Sequence, residues 1–147
     1  MSLEESLGGQ LQDAVRAGDA IRRDTIRQLR AALHNEAIAR GRELTASESA
    51  TVVRRLVNQH KDSIAEFSKA GREELVAREE AELAILTAYL PEELGRDEIL
   101  AAARTAIASV GATSRQEAGK VMRELSAQLQ GRADMRLVNE VVQDLLA

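Results

Sequence analysis

The run TASESATVVRRLVNQHKDSIAEFSKAG, residues 45–71, carries a helix start, a helix body and a helix stop in order. Thr45 and Glu48 stand at capping-box spacing: the Thr45 hydroxyl can accept from the Glu48 amide while the Glu48 carboxylate reaches back to the Thr45 amide. Val53, Val57, His60, Ile64 and Phe67 then alternate four and three, which lines one face of a helix of about 3.6 residues per turn. The helix is expected to run to about Ala70, with Gly71 as its stop.

The same grammar repeats on both sides. Upstream, a first helix is expected from Ser2 to Arg16, with Leu3, Leu7, Leu11 and Val15 as its stripe. Gly8 and Gly9 weaken its middle by about 1 kcal/mol each relative to Ala, and Gly18 ends it. Asp19 then caps a second helix, Ala20 to Arg40, with Ile26, Leu29, Leu33 and Ala37 on its apolar face and Gly41 as its stop. Downstream, Arg72 to Tyr89 reads as a fourth helix in which Val76, Leu83, Leu86 and Leu90 keep the rhythm and Glu79 fills one slot. Pro91 cannot continue it and biases Leu90 away from helical angles.

Three shorter helices follow the stretch Pro91-Glu92-Glu93-Leu94-Gly95. One spans about Arg96 to Val110. The next opens on a second capping-box spacing, Ser114 with Glu117, and carries Val121, Met122, Leu125 and Leu129. The last begins near Ala133-Asp134 and carries Leu137, Val138, Val141, Val142, Leu145 and Leu146. The expectation is an all-α chain: an N-terminal helical bundle of about four helices, residues 1–91, and a C-terminal three-helix module, residues 92–147.

Composition agrees and excludes several function classes. The chain has 147 residues, no cysteine and 1% aromatic residues, Phe67 and Tyr89 alone. Strands usually draw on aromatic and β-branched runs. Without cysteine there is no disulfide, thiolate nucleophile or cysteine-based metal site. The near absence of aromatics removes the usual stacking platform for single-stranded nucleic acid. Net charge is −4, which argues against indiscriminate nucleic-acid binding but leaves room for a local basic patch. The acidic start, Met1-Ser2-Leu3-Glu4-Glu5, is unlike a secretory signal, and no stretch approaches the roughly 20 apolar residues of a membrane span. A cytoplasmic protein with no membrane contact is expected.

Catalytic and cofactor signatures are absent: no GxGxxG after a strand, no phosphate loop, no HExxH and no GxSxG. His60 sits in a seam between Val57 and Ile64 and reads as a structural histidine, and His34 reads as a solvated one. Glu73, Glu74, Glu79, Glu80 and Glu82 form the densest acidic cluster, explained by solvated pairing with Arg72 and Arg78. No metal and no cofactor are expected, so a chelator should leave the melting temperature unchanged. The basic residues are more suggestive. Arg23, Arg27 and Arg30 lie along one side of the second helix and could grip phosphates. In the C-terminal part Lys120 and Arg123 are one turn apart, with Arg132 and Arg136 around the Gly131 turn.

Several stretches resemble a known family. Phe67 to Val76 (FSKAGREELV) resembles an EFxKAGRxDLV stretch, followed by Glu82-Leu83 and Tyr89-Leu90-Pro91. Ile26 to Leu29 through Asn35-Glu36, Gly119-Lys120-Val121-Met122, and Gly131-Arg132-Ala133-Asp134 with Leu137-Val138-Asn139 complete the pattern. Together they resemble the YqeY-like proteins of the GatB/YqeY family over nearly the whole chain. Met135 and Arg123 depart from the glycines often found there.

The resemblance implies an all-helical, two-part fold whose C-terminal module is similar to the tail domain of the GatB subunit of tRNA amidotransferase. It also implies an association with carbon–nitrogen ligase chemistry that uses glutamine as amido-N-donor. Amide transfer needs a nucleophile, an oxyanion site and an activated carboxylate, and the residues supply no such constellation. The expected function is a non-catalytic protein that binds tRNA or associates with an amidotransferase complex, with Lys120, Arg123 and Arg132 as tentative nucleic-acid contacts and Arg23, Arg27 and Arg30 as the alternative stripe. The competing reading is a protein–protein adaptor without RNA contact.

Overall fold

The computed structural model describes residues 2–129 and 131–147. Among them are seven α-helices and no strand: α1 (Leu3–Ala17), α2 (Ala20–Arg40), α3 (Ala46–Lys69), α4 (Glu73–Thr87), α5 (Arg96–Val110), α6 (Ala118–Leu129) and α7 (Met135–Leu146), with a 3₁₀ turn at Arg115–Glu117. Contacts gather the chain into two compact units, Met1–Leu90 and Pro91–Ala147.

Side-chain caps set most helix starts. The Ser2 hydroxyl accepts from the Glu5 amide at 3.2 Å, and Asp19 accepts from the Arg22 amide at 3.0 Å. Both arms of the Thr45–Glu48 capping box form, at 3.1 and 2.9 Å. Asp134 accepts from the Arg136 amide at 3.0 Å to start α7. The Ser114–Glu117 box does not form. There the Glu117 amide donates to the Ser114 carbonyl at 3.0 Å, so the tighter 3₁₀ turn consumes the donor a capping hydroxyl would take. Thr113 donates to the Glu117 carboxylate instead, at 3.3 Å.

In the first unit α3 packs most extensively on α4, and α1 on α2. Leu7 and Ala14 of α1, Ile26, Leu29 and Leu33 of α2, Val52, Val53, Leu56 and Val57 of α3, and Leu86 of α4 form its core. The α1 stripe turns away from the expected one: Val15 is 52% exposed while Ala14 is buried. Steps of four residues overshoot a helical turn by roughly 40° each, so Leu3, Leu7, Leu11 and Val15 drift around the cylinder. The α4 helix is also shorter than expected. After Thr87 the chain tightens, with the Tyr89 amide on the Leu86 carbonyl and the Leu90 amide on that of Thr87, as the residue before Pro91 requires.

The second unit closes α5, α6 and α7 on one another. Ile99, Ala103 and Ala106 meet Val121, Leu125 and Leu129 and Val138, Val141, Val142 and Leu146. The Leu94 amide donates to the Arg132 carbonyl at 2.9 Å, tying the segment before α5 to the α6–α7 turn.

Two predictions follow from this packing. Leu29 is fully buried, so Leu29→Ala should cost about 2–5 kcal/mol in urea unfolding. Ile38→Ala, at a side chain 64% exposed, should stay within about 0.5 kcal/mol. The second prediction concerns acid. Arg42 forks onto both Glu48 oxygens at 2.7 and 2.8 Å. That fork, helped by the Thr45 amide and Arg40, holds the Glu48 carboxyl well below the usual carboxylate range. Its ordinary value is 4.5; the stabilisation is complete above that pH and is lost as pH falls toward the depressed folded value. Melts recorded across pH should show Glu48→Gln less sensitive to acid below about pH 4.5 than the unsubstituted chain. Parallel acid curves for the two proteins would show that the ion pair carries no stability.

Candidate functional site

Three helices of the first unit bring polar groups together at the edge of its core. His60 projects from the α3 stripe with only 7% of its side chain exposed. Burying an imidazole among valines and leucines is costly without hydrogen-bond partners, and α4 and α2 supply them. The Nδ1 nitrogen contacts the Glu79 carboxylate and lies 3.7 Å from Glu82 Oε2. On the other side of the ring, Nε2 lies 3.2 Å from Gln28 Oε1. Glu79 and Glu82, one turn apart on α4, expose 22% and 14% of their side chains.

A cation holds this cluster from outside. Arg78 donates from Nε to Glu82 Oε1 at 3.1 Å and from Nη2 to Asp24 Oδ2 at 3.4 Å. The Asp24 carboxyl is kept below its ordinary value first by its hydrogen bond from Arg23, with Arg78 and Arg27 adding to it. Gln28 and Asp24 on α2, Glu79, Arg78 and Glu82 on α4, and His60 on α3 thus form one polar network.

Glu82 keeps the expected pair with Arg78, but Glu79 and Glu82 are less solvated than expected and gather around His60. The His60, Glu79 and Glu82 ligand atoms all lie within 4.8 Å of one another, a set able to hold a cation. The spacing of Glu79 and Glu82 puts both on one side of α4, and that side packs on α3. Glu79 occupying an apolar slot was the visible signal, as was His60 occupying one in the facing stripe. Gln28 gave none. For Glu74 the solvated reading is apt: it pairs with exposed Arg72 at 2.9 Å.

The other candidate residues stay apart from this network or at its rim. His34 is exposed and pairs with Glu4 at 3.0 Å. Arg23 pairs with Asp24 at 2.9 Å, while Arg27 and Arg30 are exposed on α2. In the second unit Lys120 and Arg123 are exposed on α6, and Arg132 is exposed in the turn before α7. None of these last three has a carboxylate within ion-pair distance among the described residues. Among those residues, no helix is long and apolar enough to cross a membrane.

Comparison with known proteins adds the family. The sequence model described as "Yqey-like protein" matches residues 4–146. The chain is also similar to proteins named "Altered inheritance of mitochondria protein 41, mitochondrial". The one from Lachancea thermotolerans is 41% identical over 81 residues, covering 54% of this chain and 43% of the relative. That of Saccharomyces cerevisiae strain ATCC 204508 / S288c is 34% identical over 85 residues, covering 57% and 46%. That of Vanderwaltozyma polyspora is 33% identical over 81 residues, covering 54% and 44%. The matched stretch therefore spans less than half the length of these relatives. Their names overturn the cytoplasmic expectation, because these relatives are mitochondrial. An acidic opening segment, and among the described residues no helix long and apolar enough to cross a membrane, do not distinguish the cytosol from the interior of an organelle. Matched by the family model along almost its whole length, the chain belongs to the YqeY-like protein family.

Proposed function

We propose that the chain is a non-catalytic RNA-binding protein associated with tRNA amidation, contacting tRNA phosphates through Lys120, Arg123 and Arg132. The observation that supports this is the state of these three cations. All are exposed, and none is neutralised by a carboxylate among the described residues. Lys120 and Arg123 share one side of α6 at one-turn spacing. Many cations of the first unit are engaged, Arg23 with Asp24, Arg40 and Arg42 with Glu48, and Arg78 with Asp24 and Glu82, while Arg27 and Arg30 of the alternative stripe are exposed like the α6 cations. A phosphate approaching α6 meets charge that no internal partner has claimed. The resemblance to the GatB/YqeY family, which implies a C-terminal module similar to the GatB tail, points the same way. Catalysis is not part of this reading, because the sequence carries none of the usual nucleophile or cofactor motifs.

Phosphate contacts act by releasing counterions, so each one lost should lower the slope of log affinity against log salt by roughly 0.7–0.9. The double variant Lys120→Glu/Arg132→Glu should weaken binding to similar extents across tRNA species. Fluorescence anisotropy at several salt concentrations measures both effects. Arg27→Glu and Arg30→Glu should change binding less. Absence of salt-dependent tRNA binding at micromolar protein would leave the adaptor reading in its place.

We further propose that residues 92–147 form a domain that folds on its own. A unit of this size is marginal, but α5–α7 hold a complete apolar core. Expressed alone, the segment should give a helical circular dichroism spectrum and a cooperative melt. A random-coil spectrum would show that it depends on the rest of the chain.

A further inference from the structure

We propose that His60, Glu79 and Glu82 form a binding site for a divalent transition-metal ion, of which zinc is the representative, clamping α3 to α4. The inference uses none of the residues assigned to RNA. It starts from the two sides of one ring. Nε2 lies 3.2 Å from the Gln28 side-chain amide, which can accept from a protonated Nε2 when Nδ1 is given over to a metal. In that tautomer the Nδ1 lone pair faces the carboxylate oxygens of Glu79 and Glu82, and a positive centre between them relieves the repulsion; without an ion, Nδ1–H donates to Glu79. Metal-bound histidines characteristically donate their second ring N–H to a carbonyl or carboxylate, which fixes the tautomer; Gln28 stands where that partner belongs.

The ligand atoms of His60, Glu79 and Glu82 all lie within 4.8 Å of one another, and a divalent ion with a neutral imidazole and two carboxylates is a neutral set. Arg78 binds Glu82 through Oε1, leaving Oε2 toward the ring. The Glu82 distance is compatible, and the Glu79 carboxylate has to move. Tetrahedral zinc with ligands about 2.0–2.2 Å away places them roughly 3.4 Å apart, and Nδ1 to Glu82 Oε2 is 3.7 Å. The Glu79 carboxylate, in direct contact with Nδ1, has to swing outward to make room for the ion. The imidazole selects a first-row transition metal over magnesium or calcium, which prefer all-oxygen sets.

The test uses the full chain, stripped with a chelator and titrated with zinc chloride by calorimetry. Saturable binding at one ion per chain, with a rise in Tm, is expected. His60→Gln and Glu82→Gln, checked for wild-type helicity, should lose at least tenfold in affinity. His34→Gln, at the exposed histidine with a single carboxylate partner, should bind as the unsubstituted chain does. Gln28→Ala keeps all three ligands and should weaken binding about 10–100-fold. Should the ligand variants fail to fold, imidazole NMR of the unsubstituted chain decides: zinc should shift the His60 ring resonances and leave those of His34, the one other histidine, in place. No saturable zinc binding, undiminished binding in folded His60→Gln, or shifts confined to His34 would overturn the site and leave a proton-bridged ion pair.

Discussion

A polar ring buried in an apolar seam constrains the first unit more than any other feature. His60 takes a position in the α3 stripe that Val57 and Ile64 flank, and a buried imidazole without partners would cost several kcal/mol. The partners come from two other helices, Glu79 and Glu82 from α4 and Gln28 from α2. Apolar side chains bring α3 and α4 together, but they tolerate sliding, since one valine contact resembles another. The ring tolerates little. It needs Glu79 at one nitrogen and Gln28 at the other, which sets the register of three helices at once. Arg78 extends the constraint by linking Glu82 to Asp24.

The second unit solves its problem without a polar key. Its core is drawn from Ala, Val, Leu and Ile alone. Ala103 and Ala106 on α5 present small surfaces, against which Val138, Val141 and Val142 can pack closely. Short helices are marginal by themselves, so the caps matter: Asp134 at the start of α7 and the left-handed glycine at Gly111 closing α5. The two units therefore reach specificity differently, one through hydrogen bonds with strict geometry and the other through shape.

Most of the helical order was legible because punctuation and periodicity agree. Asp19, Thr45 with Glu48, and Gly71 mark boundaries by local chemistry that needs no tertiary information. The reading failed where local chemistry had a competitor. Ser114 and Glu117 have the spacing of a capping box, but a 3₁₀ turn took the amide first. Val15 matched a four-residue rhythm that an α-helix does not sustain. The polar network was half visible. A histidine in one stripe and a glutamate in another are each readable from sequence, but that they face each other depends on the α3–α4 register, which no local signal encodes. Gln28 is unremarkable on α2 until His60 is placed beside it.

Net charge hides how the charges are distributed. The chain carries an excess of four negative charges, yet its carboxylates are not free to repel a polyanion uniformly. Glu48, Asp24 and Glu82 are spoken for by arginines of their own unit, and each such pair presents little net field to the outside. What a phosphate senses within a Debye length of about 10 Å is the unpaired residue. On α6 that residue is Lys120 and Arg123. An acidic protein can therefore offer a basic face, provided its cations are sorted into those consumed by folding and those left over. Arg23 is consumed by Asp24 beside it in sequence, whereas Arg123 pairs with no carboxylate among the described residues although Glu124 follows it directly, so adjacency alone does not decide the sorting.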